Sequence, residues 1–125
     1  MMRSGLAPGG NASEVTTTGP LGPLVVTSDA LPPGASPLRI MTRVNGTTMQ
    51  DSNTSDMIFS VARCVSLLSQ IMTLEPGDLI ATGTPQGVAH ARKPPAWMKA
   101  GDVVEIEIEG IGVLRNPIID EAASA

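Results

Sequence analysis

The stretch "LRIMTRVNGTTMQDS" constrains this chain more tightly than any other. Leu38, Ile40, Thr42 and Val44 alternate with Arg39, Met41 and Arg43, so a strand here shows one mostly apolar face and one charged face. Asn45-Gly46 follows directly. A two-residue type I′ turn needs positive φ at both central positions, and Asn followed by Gly meets that need at little cost. The segment therefore predicts a β-hairpin.

Two later segments share a second device. "LEPGDLIATG" and "MKAGDVVEIEIEG" each place a Gly-Asp turn, Gly77-Asp78 and Gly101-Asp102, in front of an apolar run. Both are predicted to enter strands, the first a buried one over Leu79 to Ala81. In the second, Val104, Ile106 and Ile108 face inward and Glu105, Glu107 and Glu109 outward. "GIGVLRNPII" returns as a further strand after a turn at Gly110. Leu24 to Thr27 is predicted as another short strand.

Between these units, "NTSDMIFSVARCVSLLSQIMT" carries Met57, Val61, Cys64, Val65, Leu68, Ile71 and Met72 at helical spacing. Ile58 and Leu67 widen the stripe. Asn53 or Thr54 is the expected cap, and Asp56 suits the positive end of the helix dipole. With only Asp56 and Arg63 charged within it, the segment predicts one long helix covered on most sides by a curved sheet. The fold class is α+β, mostly β, with one central helix. Residues 1–18, rich in Gly, Ser, Thr, Ala and Pro, are expected to lie outside the packed structure. Residues 19–120 form the domain, and 121–125 are an expected frayed tail.

Composition narrows the function. A chain of 125 residues is one domain at most. Apolar residues make up 42% and charged residues 16%, leaving too little polar surface to cover the outside, so apolar surface is expected to face another chain or segment. The 8 basic residues are scattered, the net charge is -4, and one Trp, one Phe and no Tyr give no stacking platform, which argues against nucleic acid. No apolar run is long enough for a membrane span, and "MMRSGLAPGGNASEV" does not read as a signal peptide. One cysteine excludes an internal disulfide and a cysteine zinc site, and fits a cytoplasmic location.

The chemistry-bearing stretch is "LIATGTPQGV". Gly83 admits a ligand close to the backbone, Pro85 pushes Thr84 toward an extended conformation, and the Thr84 hydroxyl with nearby N–H groups would meet a carboxylate or an oxyanion. The same residues also read as an ordinary strand-ending turn. Gln50 and Asp51 follow the hairpin, and their polar side chains serve either a site or the loop itself. Glu105, Glu107 and Glu109 share a strand face and would suit magnesium, but their spacing is also that of a solvated strand face. His90 has no second candidate for a dyad and reads as a loop histidine. Cys64, among apolar residues, reads as packing.

In order along the chain, "GPLGPLVVTSD", "RVNGTTMQDSNTSDMIFSVARCVSLLSQIMTLEPGDLIATGTPQGV" and "KPPAWMKAGDVVEIEIEGIGVLRNPI" resemble the C-terminal part of the fumarylacetoacetate hydrolase family, whose members include 2-hydroxyhepta-2,4-diene-1,7-dioate isomerases and acylpyruvase-like enzymes. The resemblance covers roughly Gly19 to Ile118. It implies a mixed β-roll around a helix, incomplete here at its N-terminal side, and usually a homodimer. It implies C–C bond hydrolysis, decarboxylation or isomerisation of small 2-oxo or β-diketo acids. A divalent cation, Mg2+ or Mn2+, would polarise the substrate carbonyl. The substrate-binding set it implies is Gly83, Thr84 and Pro85, with Gln50 beside them.

The family's metal carboxylates, a Glu-x-Glu pair and an Asp, precede the Gly-Pro segment and have no counterpart in this chain, so no metal ligand is assigned here. Glu105 and Glu107 align with an ordinary strand. Ser13 stands near the place of a family lysine, and Leu24 replaces a common tryptophan. The expectation is a family enzyme that is inactive as this chain alone. The alternatives are an inactive module that only folds or dimerises, and an unstable fragment with exposed strand edges.

Overall fold

The hairpin forms where the alternation places it. β1 (Arg39–Val44) and β2 (Thr47–Asn53) pair antiparallel across Asn45 and Gly46, whose φ values are +50° and +78°. This is a computed structural model, and it describes residue 22 and residues 24–120. The segments 1–18 and 121–125, for which loose ends were expected, lie outside the described residues. β3 (Val103–Ile108) and β4 (Gly112–Pro117) form a second hairpin, and β3 pairs antiparallel with β1. The result is a four-stranded sheet in the order β2-β1-β3-β4, mostly β with one α-helix.

The two faces of the sheet follow the alternation. Ile40 faces Ile108, Thr42 faces Ile106, and Ile106 faces Leu114, which builds the apolar face. On the other face Arg43 bonds Glu105 at 3.3 Å and Glu107 at 2.8 Å, Arg39 holds Asp51 through two bonds of 2.9 and 2.6 Å, and Arg115 reaches Glu105 at 3.4 Å. Hydrogen bonding to Arg39 holds the Asp51 carboxyl below the usual carboxylate range. The glutamates read as outward-facing are half-buried in the case of Glu105 and Glu107, and they are spent on these arginines.

The two hairpins are fastened at one corner. Asp102, 4% exposed, accepts from Lys99 N and Lys99 Nζ and from Asn45 Nδ2, each at 2.9 Å. These bonds, Lys99 first, pull its pKa from 3.8 to about 2. The Asn45 side chain in turn accepts from Val103 N at 2.9 Å. At the other end Thr54 Oγ1 donates to Ala35 O at 2.7 Å and accepts from Leu38 N at 2.9 Å, closing the backbone around Leu38. Leu38, 4% exposed, is the one buried hydrophobic side chain among the described residues.

Three elements depart from the sequence reading. The long helix over 53–73 is instead a 3₁₀ turn, Thr54–Asp56, followed by an extended break and then α1 (Val61–Leu68). Asn53 does cap the first turn, accepting from Ser55 N at 2.9 Å while Asp56 Oδ2 accepts from Asn53 N at 3.3 Å. Met57 then leaves helical geometry at ψ 128°, and Ser60 caps anew by accepting from Arg63 N at 3.3 Å. A second capping serine inside the apolar stripe starts a second helix, and apolar periodicity does not register that signal. Nor is α1 covered: it buries no residue, and Val65, Leu67, Ile71 and Met72 along and just after it are exposed.

Leu79 to Ala81 is not a strand; Leu79 is exposed, and no sheet neighbour pairs with it among the described residues. Leu24 to Thr27 is likewise irregular, leading into a 3₁₀ turn at Ser28–Ala30. β propensity yields a strand only where a partner edge exists. Within the described residues, no helix is long and apolar enough to cross a membrane.

Candidate functional site

The candidate site begins with an irregularity in the hairpin. The β1–β2 register passes from Thr42↔Gln50 to Arg43↔Thr48, so Met49 is an extra residue with no partner on β1. The bulge turns the Met49 carbonyl out of the ladder, where it accepts from Arg92 Nη2. Arg92 Nε also donates to Gly87 O at 3.0 Å, so one guanidinium ties β2 to the Gly83–Gly87 turn. Gly87 is required there. Its φ is +102°, and a Cβ would stand 2.5 Å from Met49 O and 3.3 Å from Gln50 Cγ.

Gln50 lies inside β2, not after the hairpin as the sequence reading placed it. Its Nε2 donates to Pro85 O at 2.7 Å and to Thr84 Oγ1 at 3.2 Å, with Gln86 O at 3.4 Å. Its Oε1 accepts from Thr42 Oγ1 at 2.9 Å. Gly83, with φ +105°, lets the chain swing out of the turn. The backbone N–H groups of Gly83, Thr84, Gln86 and Gly87 donate to no group among the described residues. Thr84 is exposed at the tip and Pro85 half-buried against β2.

The turn opens on a cavity of about 670 Å³. It is lined by Thr82 to Gln86, by Ile40, Ser52 and Thr54, and by Met57, Ile58, Phe59 and Cys64 from the break and α1. The wall is mostly apolar, and its one charged side chain is Asp56, which accepts from Ser52 Oγ at 3.2 Å. Such a cavity, with unpaired donors at one end, suits a small organic acid. It offers neutral donors only, so the charge of an acid would have to be balanced from outside the described residues.

The structure thus brings Gly83, Thr84 and Pro85 to the cavity rim, with Gln50 directly behind them. Asp51 points to the opposite face, onto Arg39. His90 is exposed in a 3₁₀ turn, Ala89–Ala91, away from this wall. Cys64 is half-buried and lines the cavity, a place its helical spacing alone did not indicate. Arg92 and Thr42 were not singled out from sequence. The bulge that makes them matter is a property of pairing, which no local pattern displays. Among the described residues, no group of three or more His, Cys, Asp or Glu side chains is placed to hold a metal ion.

The fold is shared with known proteins. The chain belongs to the fumarylacetoacetate hydrolase family: the family model described as "Fumarylacetoacetate (FAA) hydrolase C-terminal" matches residues 2–119, reaching upstream of the Gly19 start read from sequence. It is 49% identical over 102 residues to oxaloacetate tautomerase FAHD2A, mitochondrial, of Bos taurus, a match covering 80% of this chain and 32% of the relative. The fumarylacetoacetate hydrolase of the psychrophile Exiguobacterium antarcticum superposes with a TM-score of 0.76 at 46% identity, over 80% of this chain and 35% of that one. Maleylpyruvate hydrolase from Sphingobium sp. SYK-6, in complex with manganese (II) ion and pyruvate, superposes with a TM-score of 0.73 at 32% identity, over 82% of this chain and 36% of that one. The chain therefore spans about a third of the length of these relatives.

Proposed function

We propose that this chain supplies the carboxylate-holding turn of a family site for small 2-oxo or β-diketo acids, used in C–C bond hydrolysis, decarboxylation or isomerisation. One observation carries the reading. The Gly83–Gly87 turn presents Thr84 and unpaired backbone donors to an apolar-walled cavity. Donors fixed in place before a ligand arrives lose little entropy on binding and cost no reorganisation as charge develops. The manganese and pyruvate of the Sphingobium enzyme support an oxo-acid ligand and a divalent cation in the family. No cluster for such a cation stands among the described residues, and the part proposed for them is binding and orienting the acid.

Calorimetry of the purified chain with pyruvate or oxalate tests this. Neutral donors alone support affinity of roughly millimolar order. Thr84→Val, which keeps the shape and removes the hydroxyl, is expected to weaken binding at least fivefold, about 1 kcal/mol for one hydrogen bond. An unchanged isotherm would remove Thr84 from the site. Magnesium or manganese titrated alone is expected to show no tight site.

A second reading is favoured by the exposed apolar side chains at Ile58, Phe59, Leu67, Ile71 and Met72. On it, the chain is an inactive module that folds and pairs, most simply with a second copy. Sedimentation of the purified chain decides: a concentration-dependent dimer with no acid binding supports it, and a monomer that binds pyruvate opposes it.

A further inference from the structure

We infer that Gln50 is a positioning residue that makes Thr84 a hydrogen-bond donor, and that the Thr42–Gln50–Thr84 relay selects the ionised carboxylate over its neutral amide. The inference rests on the acid-holding reading above and assigns Gln50 a different part from direct substrate contact.

The orientation of the Gln50 amide is fixed by chemistry. Pro85 O and Gln86 O are carbonyls and only accept, so the group that faces them at 2.7 and 3.4 Å must be the amide NH2. The carbonyl end, Oε1, then faces Thr42, whose hydroxyl donates to it at 2.9 Å. With one hydrogen committed to Pro85 O, the other reaches Thr84 Oγ1 at 3.2 Å. Thr84 is therefore an acceptor toward Gln50, and its own proton is left to donate. A hydroxyl that accepts from a polarised N–H donates more strongly in turn. Thr84 Oγ1 donates to no group among the described residues, and Thr84 lines the cavity. A carboxylate offers two charged oxygens to that proton and to the N–H groups of the turn; an amide offers one neutral oxygen and an NH2 that meets the same donors unfavourably.

The bulge at Met49 and the Arg92 tie keep the relay in register. They hold Gln50 and the turn at fixed separation through Met49 O and Gly87 O. Thr42, directly across from Gln50 on β1, completes it from a residue whose ladder position does not depend on the turn.

The test compares pyruvate with pyruvamide, its neutral isostere, by calorimetry or ligand-observed NMR on the full chain. The wild type is expected to bind pyruvate at least tenfold more tightly than pyruvamide. Gln50→Met keeps the length and adds no charge but gives Thr84 no donor; the Thr84 hydroxyl is then free to rotate and the preference should fall severalfold. Thr42→Val preserves strand shape and removes the donor to Gln50 Oε1, so the amide stays in place but is less polarised; the preference should fall about twofold. A turn that has merely loosened would lower both affinities together and leave their ratio unchanged. Either variant retaining the wild-type ratio while binding pyruvate overturns the relay and leaves the acid-holding site standing. A wild type that binds neither compound overturns the site and the relay with it.

Discussion

In the sheet, Ile106 lies between Thr42 on β1 and Leu114 on β4 and is half-buried. Along the break and the end of α1, Ile58 and Ile71, of the same chemistry, remain 92% and 71% exposed. The strands find their partners within the chain. Two short turns and one long-range pairing, β1 with β3, are enough to close the ladder, and charge pairs lock its outer face. The helix side has an apolar stripe and nothing from the described residues laid across it. Burial of a side chain of this size contributes about 1.5–3 kcal/mol, and on the helix side that contribution is largely unclaimed. Relatives that are about two and a half times as long have more chain available for it.

The contrast can be broken at its strong end first. Leu38→Ala removes the one buried hydrophobic side chain among the described residues and is expected to cost about 2–4 kcal/mol, read as a shift in the urea midpoint. Loss below about 1 kcal/mol would mean that the sheet does not carry the stability of this chain. Gly87→Ala comes next. It places a methyl group against Met49 O at an unfavourable φ and should cost about 1–3 kcal/mol while loosening the turn from β2. Near-wild-type stability together with intact pyruvate binding would show that the Arg92 tie is dispensable.

Asp102 sharpens the comparison through pH. Its folded-state pKa, about 2, lies below the unfolded value of 3.8, so its stabilising contribution is fully present above about pH 4 and is lost as pH falls through 2. Asp102→Asn should lower stability at pH 7 and flatten the acid limb between about pH 4 and 2; an acid limb identical to wild type would contradict the corner described here. The smallest effect is expected on the helix side. Ile71→Lys should change stability by no more than about 0.5 kcal/mol, because the side chain is already in water, while reducing self-association seen by sedimentation. A large destabilisation would mean that the stripe is packed in solution.

The same contrast explains what the sequence displayed. Alternation and Asn45-Gly46 define the first hairpin, and Gly101-Asp102 with "VVEIEIEG" the second, because these signals are local and their partners follow within a few residues. The Gly83-Thr84-Pro85 segment was legible as a turn, since glycine and proline state their conformational needs by themselves. The helix was overdrawn because Ser60 caps a new start inside a continuous apolar stripe. The strand expected at Leu79 to Ala81 failed for want of an edge to join. Gln50 was noted without its hydrogen-bond partners, and Arg92 and Thr42 went unseen, because these contacts exist only once β1 and β2 have paired around the Met49 bulge.

The central claim is that a carboxylate is held at the Thr84 corner. Amide chemical shifts recorded across a pyruvate titration test it most directly. The account predicts saturable shifts confined to Gly83, Thr84, Gln86 and Gly87 and to the cavity wall at Ser52 and Thr54, with Val104 and Glu105 unmoved; shifts elsewhere, with the turn silent at saturating acid, would contradict it.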